Sequence, residues 1–143
     1  MNAVDLNTEY LGLKLSSPLT PTLPSLDHGL EEARQLEDSG AAAIVMHPMF
    51  EADLHREEEV AASFFIHPEF GHAEAHSFLP FHGDYRRGEE RHLQQLADLK
   101  EGLDIPVIAT LNAITPEGWL ERARALLQAG ADAIELNACY LAV

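Results

Sequence analysis

The chain has 143 residues, 46% hydrophobic and 23% charged, which is the size and balance of one soluble globular domain. Its formal net charge of −15 argues against a nucleic-acid partner, because neutralising phosphates takes clustered Lys and Arg, and the one adjacent basic pair, Arg86-Arg87, is followed by Gly88, Glu89 and Glu90. No apolar run reaches the roughly 18–20 residues of a membrane span, no basic leader precedes an apolar stretch, and the single cysteine cannot close an internal disulfide, so a cytoplasmic location is expected.

Residues 1–18 contain EYLGLKLSSP, with Gly12 between two short alternating segments, which predicts a small hairpin over Glu9–Ser16. PLTPTLP follows as a first strand, weakened by its three prolines. Leu30, Ala33 and Leu36 share a helical face, Gly40 stops that helix, and AAAIVM fits a buried parallel strand. Residues 51–83 are rich in His, Phe and Glu with little periodicity, and read as a long excursion after the second strand, with a helix over Glu51–Ser63. Leu93, Leu96 and Leu99 predict a helix over Glu89–Glu101, and IPVIATLNA a third strand over Ile105–Ala113. Thr115 is a candidate N-cap with Pro116 at the first helical position. Leu120, Ala123 and Leu127 form the expected buried stripe of the helix that follows. Gly130 ends it and AIEL gives a fourth strand.

The chain also resembles itself. LEEARQLEDSGAAAIVMH, from Leu30 to His47, aligns without a gap with LERARALLQAGADAIELN, from Leu120 to Asn137, and about half the positions are identical. Alternating strands and helices imply a parallel α/β architecture. Four strands, near Leu19, Ile44, Ile108 and Ile134, are about half of an eight-stranded barrel, which takes ~250 residues. The expected fold is therefore the N-terminal half of a TIM (β/α)8 barrel behind a small hairpin, and the chain looks cut.

In parallel α/β folds, function gathers at the carboxyl ends of strands. Those ends carry Thr20 and Thr22, His47, Thr110 and Asn112, and Asn137 and Cys139. Amides, hydroxyls and one imidazole suit a flat, hydrogen-bonding ligand, and no nucleophile–base pair for hydrolysis is visible. Each also has a plain structural role open to it: an asparagine can satisfy loop backbone, His47 can pack, and Cys139 can be a small buried hydrophobe.

DLNTEYLGLKLSSPLTP, EDSGAAAIVMH, IPVIATLNAITPEGW and AGADAIELNACY together resemble the dihydroorotate dehydrogenase family, most closely its bacterial dihydroorotate dehydrogenase-like members, over essentially the whole chain. The resemblance implies an FMN-dependent oxidoreductase on a TIM barrel, acting on a C–C bond of a small planar substrate in the manner of pyrimidine biosynthesis. It implies a hairpin across the barrel floor and a flavin across the carboxyl ends of the strands. The family's flavin-contacting segment falls on Thr22 and Leu23, its flavin lysine on His47, its third-strand polar neighbour on Thr110 beside Asn112, and its fourth-strand asparagine on Asn137. The family's catalytic Cys or Ser falls on Tyr140, with Cys139 one residue early.

Two other readings remain open from the residues. A non-catalytic half-barrel would self-associate through exposed strand edges, as a possible homodimer. His72 and His76, at i, i+4 spacing in GHAEAHSF, suit a divalent metal if that segment is helical, although no third ligand is placed by spacing.

Overall fold

A computed structural model describes residues 4–25, 29–56 and 88–138. The expected α/β class is observed: a parallel sheet with helices against it, and a separate antiparallel hairpin.

The hairpin pairs β1 (Thr8–Tyr10) with β2 (Leu13–Leu15) through a two-residue turn. Leu11 and Gly12 have φ of 53° and 79°, the signature of a type I′ turn, whose twist matches that of the flanking strands. Glycine takes this conformation freely. Leucine pays a steric cost there.

The sheet runs in sequence order. The segment around Thr22 bridges Val45 in parallel: Val45 N–H donates to Pro21 O and Leu23 N–H to Val45 O, both at 2.9 Å. Prolines have no N–H to give, so this first strand stays short and lies at an edge. β3 (Ile44–Val45) and β4 (Met49–Phe50) both pair with the same side of β5 (Val107–Asn112). β6 (Ala133–Leu136) pairs with its other side. The spatial order is thus first strand, β3/β4, β5, β6, all parallel.

Three helices cover one face: α1 (Leu30–Asp38), α2 (Gly88–Gly102) and α3 (Pro116–Gln128). Ala33, Leu96, Leu99 and Leu126 pack there against Ile44, Met46, Val107, Ala109 and Leu111. The hairpin covers the opposite face near the starts of the strands, where Leu15 meets Ala42, Ala43, Val45 and Ile108. β5 is therefore apolar along VIATL and buried on both sides, as an inner parallel strand must be.

The internal repeat is structural as well as sequential. Gly40 and Gly130 have φ of 96° and 103°. Ala41 N–H donates to Leu36 O and Ala131 N–H to Leu126 O, so both helices end with the same hydrogen-bonded turn. Thr115 caps α3 as expected, accepting from Gly118 N–H at 2.9 Å with Pro116 beside it.

One expectation fails. Leu120 and Leu127 are 60% and 56% exposed, and the buried stripe of α3 is formed by Leu126 with Trp119 and Ala123 partly buried beside it. The helix carries apolar residues on two faces, and the sheet takes only one of them. The helix expected over Glu51–Ser63 is present at residues 51–56, and its remainder lies outside the described residues.

Candidate functional site

Alternation along the strands assigns their faces. Ala109 and Leu111 point to the helices, so Thr110 and Asn112 point away from them. Thr22 lies opposite Val45, and Thr110 opposite Glu135. Because Val45 and Glu135 occupy equivalent places in the repeat, Thr22 and Thr110 are equivalent too. Thr22 is exposed, whereas Thr110 is buried with its Oγ1 lacking a hydrogen-bond partner among the described residues. A buried hydroxyl without a protein partner is costly, and a water, an ion or a ligand can complete its bonding.

The two asparagines meet at the carboxyl end of the sheet. Asn112 Nδ2 donates to Asn137 O at 2.7 Å, while Asn137 N–H donates to Leu111 O at 2.8 Å. The Asn112 amide therefore ties the end of β5 to the end of β6, which is the structural role open to it from the sequence. Alternation from Glu135, which lies opposite Thr110, puts Asn137 on the face that carries Thr110.

His47 sits at an irregularity. Ile44 and Val45 pair with Val107 and Ile108, and Met49 and Phe50 pair with Leu111 and Asn112, so Met46, His47 and Pro48 oppose only Ala109 and Thr110. This is a bulge, a device that re-aims a side chain at a sheet's functional end. The half-buried His47 ring lies edge-on to Phe50, with centroids 6.3 Å apart. On α2, His92 is buried with Nε2 unpartnered among the described residues. Burial pushes the His92 imidazole down to about 4, and the charge of His47 adds to the shift.

Sequence reasoning missed Glu51, which is only 2% exposed and sits just past β4. Its Oε2 accepts from Ile114 N–H at 2.5 Å and Thr115 N–H at 3.0 Å, and its Oε1 from the Thr115 hydroxyl at 2.8 Å. Arg122 Nη1 stands 3.9 Å away and His55 Nε2 3.6 Å. Burial alone would raise this carboxyl. The two backbone donors, the Thr115 hydroxyl and Arg122 outweigh it and hold the group at about 2. A side chain at Gly118 would collide with the carboxylate, so glycine is needed there. The Glu51 carboxylate thus fills the start of α3, joining the end of β4 to the loop after β5.

Thr22, Thr110, Asn112 and Asn137 accordingly share one face, with His47 at the bulge beside them. Leu23 does not join them. It is 1% exposed and packs in the helix-side core with Ile44 and Met46, because it stands one residue out of phase with Thr22. Tyr140 and Cys139 lie outside the described residues, as do His72 and His76. Among the described residues no group of three His, Cys, Asp or Glu side chains is placed to hold a metal ion, and no helix is long and apolar enough to cross a membrane. No protein-family model matches the chain, and no curated protein matches it.

Proposed function

We propose that this chain carries the ring-facing part of the flavin site of an FMN-dependent oxidoreductase of the dihydroorotate dehydrogenase type, acting on a C–C bond of a small planar substrate. Its sheet would supply the first four strands of a (β/α)8 barrel. One observation carries the reading: four parallel strands in sequence order have helices on one face and Thr22, Thr110, Asn112 and Asn137 on the other. A doubly wound sheet reverses its strand order and takes helices on both faces. The hairpin against the starts of the strands agrees with a covered barrel floor.

The unpartnered Thr110 Oγ1 fits the edge of an isoalloxazine ring, which offers both donors and acceptors. Asn137 and Asn112 would bind the same edge, Thr22 would border it, and His47 would sit near its polar rim. The start of α3 does not offer the phosphate a free anion site, because the Ile114 and Thr115 N–H groups just ahead of it are already taken by the Glu51 carboxylate. The flavin, when bound, would supply two-electron redox chemistry, and these side chains would orient it. Tyr140 or Cys139 would serve proton transfer.

The test is a titration of FMN against the purified chain, followed by flavin fluorescence. Saturable quenching at micromolar FMN is expected, weakened at least tenfold in Asn137→Ala. An unchanged signal at high micromolar FMN would remove the cofactor from this chain's function.

A further inference from the structure

The face that carries Thr110 also carries a charge that the flavin reading does not use. Glu135 on β6 lies directly opposite Thr110 in the parallel register, and strand spacing sets the two backbones about 5 Å apart. Its side chain is exposed, and no basic side chain pairs with it among the described residues. Among the described strand residues on that face, Glu135 alone carries a fixed charge. The others are threonines, asparagines and apolar residues, with His47 at the bulge, and no lysine or arginine stands there.

The hydrogen-bonding groups lean the same way. Asn112 spends an amide hydrogen on Asn137 O at 2.7 Å, which weights what it adds to the face towards its Oδ1 acceptor. Thr110 is 2% exposed, and its Oγ1 has no partner among the described residues. A hydroxyl donates once and accepts twice, so contact with a flavin edge leaves it able to accept from a second molecule. The face is negative, rich in acceptors and poor in donors.

We infer that Glu135 selects the substrate by charge: the molecule bound on this face is a planar nitrogen cation, such as an amidine or a protonated aminoheterocycle, and not a carboxylate. One N–H of the cation donates to the Glu135 carboxylate in a charge-assisted bond, and a neighbouring N–H donates to Thr110 Oγ1. A carboxylate ligand, dihydroorotate included, meets like charge there with no fixed cation to offset it, and such repulsion discriminates between ligands as attraction does. Glu135 is a specificity-determining residue. The choice of face rests on the flavin reading; the preference for positive charge rests on Glu135 and Thr110.

The probes are benzamidine, benzamide and benzoate, a cation, a neutral amide and an anion of nearly one shape. Each is titrated against the full chain, with backbone amide shifts read by NMR. Benzamidine is expected to shift the Thr110 and Glu135 amides and to bind at least tenfold more tightly than benzoate, with benzamide between them. Glu135→Gln should erase that order, and Thr110→Val should weaken benzamidine at least threefold. Glu121→Gln removes the same charge from an exposed position on α3 and should leave the order unchanged. No benzamidine shift at Thr110 and Glu135, equal affinity for benzoate, or a preference that survives Glu135→Gln would overturn the charge selection. So would a preference that falls as far in Glu121→Gln, which would assign it to the net charge of −15. An FMN titration that fails while benzamidine binds in this way would remove the flavin alone. Equal affinity for benzoate beside saturable FMN quenching would remove the charge selection alone.

Discussion

Glu51 is the side chain with the most at stake. It is buried, charged and bonded to three donors, and its partners are themselves buried in part. Glu51→Gln keeps the shape but removes the charge, and is expected to destabilise the chain by about 2–3 kcal/mol in denaturant unfolding. The titration of the two perturbed groups separates in pH. Glu51 is depressed from 4.5 to about 2, so its contribution is present above pH 4.5 and is lost as pH falls towards 2. His92 is depressed from 6.5 to about 4, so its neutral form is favoured above pH 6.5 and its contribution is lost as pH falls towards 4. Stability followed between pH 7 and 3 should show both slopes. His92→Leu should flatten the upper one and Glu51→Gln the lower one; identical profiles in parent and variants would refute both assignments. Neither residue stood out in the sequence. Glu51 opens a segment without periodicity and its partners lie 63 and 64 residues further on. His92 hides in a helix whose leucines supply the visible pattern.

At the scale of elements, the parts set by short-range chemistry were legible. Thr115 and Pro116 mark a helix start by what a hydroxyl and a missing N–H can do, and Gly40 and Gly130 mark helix ends through their left-handed backbone. The faces were harder. Leu120 and Leu127 have helical spacing, but spacing says only that they share a stripe and not which neighbour the stripe meets. The bulge at Met46–Pro48 was equally hidden, since one extra residue leaves an apolar run looking continuous. The hairpin carries a visible flaw in Leu11, a leucine at φ 53°. Left-handed backbone costs a leucine roughly 1 kcal/mol, and asparagine tolerates it better. Leu11→Asn should therefore raise stability by about 0.5–1 kcal/mol by thermal unfolding; a loss of stability would show that the half-exposed leucine earns its place through contacts.

For the molecule as a whole, strand order is the most informative property. The alternation of elements in the sequence implied a parallel α/β sheet, whereas neighbour order depends on which crossovers pack against which face and cannot be read from periodicity. In this order β5 is paired on both edges and covered on both faces, while among the described residues β6 is paired on one edge. Backbone amides of Val107–Leu111 should be the slowest to exchange in the chain, and those of β6 faster by orders of magnitude. Equal protection across the two strands would contradict the order given.

The Glu51 clamp also bears on how the chain can vary in length. It fixes residue 51 to the turn at Ile114 and Thr115, so that one side chain closes a ring of the chain across sequence separations of 63 and 64 residues. Ring closure in a polymer grows only logarithmically with contour length, about 0.6 kcal/mol for each doubling. Closing a ring of this length costs little more than closing one of half the length, so the clamp is less sensitive to contour length than its long reach along the chain suggests.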